Sequence, residues 1–150
     1  MDGHGKDFAA LLGRMTQAIC RGDVEAATAC FMPQGAYHDG FYGAFRGRAE
    51  IARMLRECFY RDAEGFEWTL RDAVSDGATG YAQYDFSYVS RLEGSAGKRV
   101  GFSGVSICAL EGGLIAHYGE CFERAPVLAK LGFPDARILK SVHRWAKEAK

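Results

Sequence analysis

Two carboxylates lie in contexts that suit proton transfer. Asp39 ends a short extended segment and precedes a loop rich in glycine and aromatic residues, 40–47. Glu120 lies between Tyr118 and Phe122 in a segment with the period of a strand, so these three side chains share one face. Burial in an apolar pocket raises the proton affinity of a carboxyl group, which suits it to move a proton next to a carbonyl. The structural alternatives are a turn aspartate and a solvated acid at the sheet rim.

Three further polar residues are weaker candidates. His38 precedes Asp39, and a histidine can act as an acid, as a base or as a hydrogen-bond donor that polarises a ligand. Neighbouring strand residues face opposite ways, so both enter one pocket only if the strand has already ended. Gln83 and Asp85 share one face of a long strand whose other face is aromatic. Either face lines a cavity while the other meets a partner, and we favour the polar face as the lining.

Aromatic residues supply the remaining candidate contacts to a ligand. Phe41 and Tyr42 lie in the glycine-rich loop, either as part of a mobile lid or as anchors of the loop on the core. Trp68 lies on a segment that alternates apolar and polar residues, as half-buried strands do. Together with Tyr118 and Phe122, these side chains are predicted to contact a small apolar or aromatic molecule.

Composition and motifs exclude several classes of function. Lys plus Arg equals Asp plus Glu, at 19 each, so no charge excess favours nucleic acid. No His, Asp and Glu set has metal-ligand spacing, and the five cysteines form no CxxC pair. No glycine-rich nucleotide loop follows a strand, so we expect no metal and no cofactor. Without a signal peptide or a run of roughly 20 apolar residues, we expect a cytoplasmic protein that does not bind membranes.

The elements that position these residues change period along the chain. Apolar residues recur at three and four positions through residues 8–19, and Asp23 can cap a second helix. A third helix is predicted from about residue 48 to 61, followed by segments of period two at 66–70, 79–91, 99–110 and 114–123. A short helix and a C-terminal helix from Pro134 complete an α+β domain. We predict a disordered tail at 1–6 and one domain at 7–150, with a core at 7–123 and a helical extension at 124–150.

The strand 100–110 is apolar on both faces. Val100, Phe102 and Cys108 lie on one face, and Val105 and Ile107 on the other. An antiparallel strand normally shows one face to water, so both faces are expected to be covered. We predict a homodimer that forms through the sheet. The alternative is that the C-terminal helix covers the second face.

Four segments together resemble the nuclear transport factor 2-like superfamily, and within it the SnoaL-like branch of polyketide cyclases. They are Gly22-Asp23 through Phe31, Tyr37-His38-Asp39, Phe45-Arg46-Gly47-Arg48 and residues 113–123. The resemblance covers residues 7–123. It implies a cone, in which N-terminal helices close a strongly curved antiparallel sheet (a cystatin-like roll) over an apolar cavity. Ketosteroid isomerases, scytalone dehydratases and limonene epoxide hydrolases belong to the same superfamily.

The resemblance also assigns roles to particular positions. Asp39 lies where ketosteroid isomerases place their proton-shuttling carboxylate, but the position of their first-helix tyrosine donor is Met15, which cannot donate. Glu120 lies where limonene epoxide hydrolases carry the aspartate that activates water. Their arginine and aspartate on the long strand match Gln83 and Asp85, so the arginine is missing.

The leading hypothesis is a cofactor-independent acid/base enzyme of isomerase, cyclase or dehydratase type. It would act on a small cyclic or aromatic carbonyl compound, with Asp39 and Glu120 sharing the proton and Tyr118, Asp85 and His38 orienting the ligand. One rival is a non-catalytic domain that binds a ligand or a protein. Another is an accessory dimerisation domain with a filled cone. Carboxylates that converge on one enclosed cavity would favour the enzyme.

Overall fold

The chain begins with a long helix rather than a tail. The computed structural model describes residues 2–148, and helix α1 runs from Gly3 to Cys20. The side chain of Asp2 caps it by accepting a hydrogen bond from the Gly5 amide at 2.8 Å, as N-cap aspartates do. The predicted disordered tail at 1–6 is therefore wrong from residue 3 onward. The predicted apolar stripe of α1 is buried against the sheet: Phe8, Leu11, Leu12, Met15 and Ile19.

A short capped helix leads into the first hairpin. Asp23 caps helix α2, Val24–Thr28, by accepting from the Ala26 amide at 3.1 Å, as predicted. Strand β1 then runs over Phe31–Asp39 and pairs with strand β2, Gly43–Arg46. The predicted break at Pro33 is a register irregularity inside β1 instead, because a bulge tolerates the missing N–H of proline.

The third helical region contains a wide turn. Helix α3, Arg48–Met54, continues through a π-helical turn, Leu55–Phe59, into the single turn α4, Tyr60–Asp62. Ile51, Met54 and Leu55 pack into the core beside α1. The π turn changes the direction of the side chains that follow, and it places Phe59 on the inner side of the sheet, where it stacks on Phe66 at 4.7 Å.

Four long strands complete a curved, open sheet of six. They are β3, Ala63–Ser75, β4, Thr79–Ser90, β5, Arg99–Glu111, and β6, Leu114–Cys121. The order is β2-β1-β6-β5-β4-β3. Every neighbouring pair is antiparallel except β1 and β6, which are parallel. The α+β fold is confirmed, with one parallel pair in a sheet predicted to be antiparallel throughout.

The two faces of the sheet have opposite character, and the long strand β4 shows this best. Tyr84 and Phe86 point inward and are buried, whereas Gln83 and Asp85 are exposed on the outer face. Our interpretation that the polar face of this strand lines the cavity is therefore wrong. The aromatic face lines it. Burying the aromatic rings removes much apolar surface from water, whereas Gln83 and Asp85 remain well solvated on the outer face.

Two helices follow the sheet and cross its inner side. They are α5, Arg124–Lys130, and α6, Asp135–Glu148. Because α6 lies on the inner side, the alternative in which it covers the outer face of β5 is wrong. Val74, Tyr81 and Ile107 stay exposed there on paired positions of three strands. The homodimer through this face stays a prediction.

Candidate active site

An aromatic cavity of about 610 Å³ lies between the inner face of the sheet and α6. Strands β3, β4 and β5, the π turn and the segment after β6 each contribute aromatic rings to its wall. Six of these rings are Phe59, Phe66, Trp68, Phe86, Phe102 and Phe122. The cone is therefore not filled, contrary to what a purely structural dimerisation domain requires. Asp39 and Glu120 are both in the wall of this one cavity.

Glu120 sits on the inner face of β6 and accepts two phenolic hydrogen bonds. Tyr84 donates to its Oε2 at 3.1 Å, and Tyr118 donates to the same oxygen at 3.3 Å. The hydroxyl of Ser106 lies 3.0 Å from the Tyr118 hydroxyl, which orients that phenol. Glu120 and Tyr118 share a face, as the period-two argument predicted. The backbone amide of Gly40 also donates to this carboxyl group.

Tyr84 reaches Glu120 from two strands away because a glycine lets it pass. Tyr84 is paired with Gly104 in β5, and Glu120 lies on the next strand, β6. A Cβ at Gly104 would lie 2.6 Å from the Tyr84 hydroxyl oxygen and 2.7 Å from the Cys121 carbonyl oxygen. The missing side chain at Gly104 therefore gives the phenol its path across β5.

Asp39 ends β1 and is fixed by the backbone that follows it. Its Oδ1 accepts from the amides of Phe41 at 2.8 Å and Tyr42 at 3.0 Å, and the residue is only 6% exposed. This is the geometry of a turn aspartate. Asp39 is therefore both a turn aspartate and a residue of the cavity wall, so the two interpretations are not exclusive. Its Oδ2 makes no hydrogen bond within the described chain.

Burial raises the pKa of both carboxyls, and the charge of Asp39 raises that of Glu120 further. The pKa of Glu120 is raised to about 8 by burial and by the charge of Asp39, while the two phenols and the Gly40 amide oppose the shift. Burial also raises the pKa of Asp39, while the amides of Phe41 and Tyr42 lower it. Amide donors favour the charged form of Asp39. We therefore assign the negative charge to Asp39 and a proton to Glu120 at neutral pH.

The glycine-rich loop is anchored at the rim of the cavity. The Tyr42 hydroxyl donates to Asp62 Oδ2 at 2.6 Å, and this oxygen also accepts from Arg61 at 2.9 Å. Phe41 packs edge-on against Phe122, with ring centroids 5.5 Å apart. Both residues line the cavity, and these contacts support the anchor interpretation over the lid.

Four predicted site residues lie elsewhere. His38 is exposed on the outer side of β1, because strand alternation continues through Asp39, and its ring lies 6.5 Å from that of His117. Met15 is buried in the core and is not in the cavity wall. On the outer face, Asp85 bonds Ser103 and Arg71, while Gln83 donates to Asp72 at 3.2 Å. None of these four lines the cavity, so their predicted site roles are wrong. Tyr118, also predicted to contact a ligand, is fully buried and is not in the cavity wall, so that predicted contact is wrong too, although its hydroxyl donates to Glu120.

Sequence reasoning missed Tyr84 and Tyr37. Tyr37 stacks on Tyr118 with centroids 4.7 Å apart and lines the cavity. The signal for Tyr84 was present, since the aromatic face of β4 was one of two options. Trp68 lines the cavity as predicted, and its indole Nε1 is buried without a hydrogen-bond partner within residues 2–148. Such an orphan donor costs free energy, and it leaves a polar group for a bound molecule.

Neither a metal-binding cluster nor a membrane-spanning helix is present in the described part of the chain. Residues 2–148 contain no group of three His, Cys, Asp or Glu side chains arranged to hold a metal ion. Over the same residues, no helix is both long and apolar enough to cross a membrane.

Solved structures with the same fold cover nearly the whole chain. A proposed polyketide cyclase from Xanthomonas campestris pv. campestris is 20% identical, with a TM-score of 0.71, and the match covers 86% of this chain and 99% of that one. A protein with a ketosteroid isomerase-like fold from Catenulispora acidiphila DSM 44928, in complex with trimethylamine, is 18% identical, with a TM-score of 0.72 and coverage of 83% and 93%. An epoxide hydrolase from M. tuberculosis is 18% identical, with a TM-score of 0.69 and coverage of 92% and 96%.

These likenesses define the fold as an α+β roll with a curved, open sheet. The sequence profile of the SnoaL-like domain matches residues 12–118, so the chain belongs to the SnoaL-like family. A comparison with curated proteins finds no match. At these identities the solved structures establish the fold alone, and any chemistry has to be argued from the residues in the cavity.

Proposed function

We propose that this chain is a cofactor-independent acid/base enzyme that moves protons on a small cyclic or aromatic carbonyl compound. The observation that carries the proposal is the carboxyl pair. Glu120 and Asp39 line one aromatic cavity, and Glu120 has a pKa of about 8. A protonated Glu120 and an ionised Asp39 in the wall of one cavity provide one acid and one base at neutral pH.

The hydrogen bonds divide the two roles between the carboxyls. Oδ1 of Asp39 is occupied by two amides, and Oε2 of Glu120 by two phenols. Asp39 Oδ2 is left as the base, and the protonated Glu120 as the acid. Because Oδ1 of Asp39 is fixed by the two amides, Asp39 presents Oδ2 without first breaking a hydrogen bond.

One proton cycle then follows from this arrangement. Asp39 Oδ2 takes a proton from the carbon next to the carbonyl, while Glu120 gives its proton to the carbonyl oxygen, and an enol forms. Return of a proton from Asp39 to a second carbon, with the enol proton going back to Glu120, gives an isomer and restores both groups. The phenols of Tyr84 and Tyr118 stabilise Glu120 while it is ionised. The same enol can instead close a ring, when its carbon adds to a second carbonyl of the ligand whose oxygen takes the Asp39 proton while the enol proton returns to Glu120. It can also eliminate water, when a hydroxyl on the next carbon leaves with the Asp39 proton and the enol proton returns to Glu120.

An epoxide hydrolase of limonene type fits this chain less well. The positions that match its strand arginine and aspartate, Gln83 and Asp85, are exposed on the outer face. Ligand binding without turnover is the second candidate, and the aromatic rings that make up most of the wall favour it. It requires no converging carboxyls, so the two candidates are separated by carboxyl variants.

Hydrogen exchange tests the proposal without knowledge of the substrate. A panel of cyclic and aromatic ketones is incubated with the protein in D₂O, and deuterium at the carbon next to the carbonyl is measured by mass spectrometry. Asp39→Asn and Glu120→Gln are each expected to slow exchange by roughly 100-fold, the usual contribution of one acid or base.

The matched control is Asp85→Asn, which removes an exposed carboxylate on the outer face of the same sheet. It should leave exchange unchanged. Exchange that proceeds at the wild-type rate in both cavity variants would refute acid/base catalysis at this site. Binding of a panel member with no exchange in the wild-type protein would favour the ligand-binding candidate.

A further inference from the structure

Three cations of α6 line the cavity mouth. Arg137, Lys140 and Arg144 recur at three and four positions on one side of the helix, and all three are exposed and in the cavity wall. Asp39 is buried and Glu120 is half-buried. The cations therefore lie toward solvent, and the two carboxyls lie deeper in the cavity. The inner part of the cavity contains the proposed acid and base, and the cavity mouth is positively charged.

Aromatic contacts hold α6 in this position. The Trp145 ring lies 6.4 Å from the ring of Phe41 and 4.1 Å from the guanidinium carbon of Arg124. Arg124 also donates to the Gly40 carbonyl at 3.0 Å. The helix is therefore attached to the loop that follows Asp39, and its cationic side faces the cavity.

The orientation of α6 is not the one that apolar burial alone would select. Leu139 is 57% exposed and Val142 is 37% exposed, although burying such side chains is favourable. The helix instead turns its basic side to the aromatic wall. This arrangement is expected if the basic side has an anionic partner.

Within the described residues, the three cations have no carboxylate partner of their own. None of the ion pairs within residues 2–148 includes Arg137, Lys140 or Arg144. Asp62 is the carboxylate of the rim, and its charge is already balanced by Arg61 at 2.7 Å. Arg137 stacks on Phe133 at 4.4 Å, which leaves the donors in the plane of its guanidinium available.

We propose that the basic side of α6 binds an anionic group, a carboxylate or phosphate, on a ligand whose apolar body occupies the aromatic cavity. An aromatic wall of low dielectric focuses the field of the three cations on the mouth. The anion then fixes which end of the ligand meets Asp39 and Glu120. The catalytic consequence of that orientation rests on the proposed function, whereas the preference for an anionic ligand can be measured without turnover.

A matched pair of fluorescent probes tests the preference. Anilinonaphthalene sulfonate carries an anionic group, and phenylnaphthylamine is the same aromatic body without it. The sulfonate probe is expected to bind about tenfold more tightly at low salt, and the difference should shrink as salt screens the charges. In Arg137→Gln/Lys140→Gln/Arg144→Gln, the sulfonate probe should lose about tenfold in affinity and the neutral probe less than about twofold.

The control variant removes three exposed cations that lie outside α6 and are not in the cavity wall, Lys6→Gln/Arg46→Gln/Arg56→Gln. It has the same net charge as the α6 variant and should bind both probes as the wild type does. Val74→Ser/Tyr81→Ser, on the outer face, should also leave both affinities unchanged, which places the probe in the cavity.

Equal losses for the two probes in the α6 variant, or an equal loss in the control variant, would overturn the anion site. The proposed function would survive either result, because deuterium exchange with the ketone panel measures it independently. Conversely, the proton chemistry alone would be overturned if neither carboxyl variant slowed exchange while the preference for the sulfonate probe stayed intact. Failure of both probes to bind the wild-type protein would overturn the cavity as a ligand site and this inference with it.

Discussion

Removal of one hydroxyl group tests the proton chemistry at its centre. In Tyr84→Phe, Glu120 loses the donor at 3.1 Å and keeps only Tyr118 at 3.3 Å. The ring of Tyr84 is fully buried, and phenylalanine keeps its packing. The variant therefore changes the hydrogen bonds of Glu120 with little change in the shape of the cavity.

The magnitude follows from the difference between charged and neutral acceptors. A hydrogen bond to a charged group contributes about 1.5–3 kcal/mol, and one to a neutral group about 1 kcal/mol. The ionised form of Glu120 thus loses roughly 1 kcal/mol more than the protonated form. Since one pKa unit corresponds to about 1.4 kcal/mol, the pKa of Glu120 should rise by somewhat less than about one unit from its value of about 8.

Carbon NMR of glutamate labelled at the carboxyl carbon measures this pKa directly, and the Glu120→Gln spectrum assigns the signal. Tyr81→Phe is the control, because Tyr81 lies on the exposed face of the same strand. Gly104→Ala should act through the same atom, since its Cβ would lie 2.6 Å from the Tyr84 hydroxyl. A Glu120 pKa that falls or stays constant in Tyr84→Phe would refute the assignment of this phenol as a donor to the ionised carboxyl.

Two further predictions concern stability and assembly. Burial raises the pKa of Glu120 to about 8 in the folded chain, so its contribution to stability is complete below the ordinary glutamate pKa and is lost as pH rises through 8. The free energy of unfolding should fall by roughly 2 kcal/mol more between pH 6 and pH 8 in the wild type than in Glu120→Gln, measured by urea denaturation, and parallel curves would contradict the raised pKa. Ile107→Glu, in the exposed apolar row of the outer face, should convert the predicted homodimer to a monomer in sedimentation velocity, and a wild-type monomer would show that the sheet-to-sheet dimer is wrong.

Local periodicity was sufficient to predict much of the fold. The apolar stripe of α1, the Asp23 cap and the four long strands follow from spacing within single segments. Such spacing is a local property, because side-chain direction repeats every 3.6 residues in a helix and every two in a strand. The start of α1 at Gly3 was missed because glycine and histidine there are weak helix formers, and only the Asp2 cap favours the helix.

The same reasoning found Glu120 and Asp39 but misplaced their neighbours. Alternation states which residues share a face, and it does not state which face is inside when both have a plausible role. For β4 the polar face carried Asp85, a carboxylate of the type that sites use, and this led to the wrong choice. Burial decides otherwise, since Tyr84 and Phe86 together remove far more apolar surface from water than Gln83 and Asp85 would.

The contact between Tyr84 and Glu120 depends on information that no single segment contains. It requires β4 and β6 to flank β5, a register that sets Tyr84 opposite Gly104, and the absence of a Cβ at that glycine. Each condition is set by pairing between segments separated by hairpins. Glu120 and Tyr118 were therefore visible in the sequence as an acid and a phenol on one strand face, whereas the hydrogen bond from Tyr84 became visible only when the strands were placed side by side. The cations of α6 are a further case, because their spacing marks one side of a helix but only the contacts of Trp145 show that this side faces the cavity.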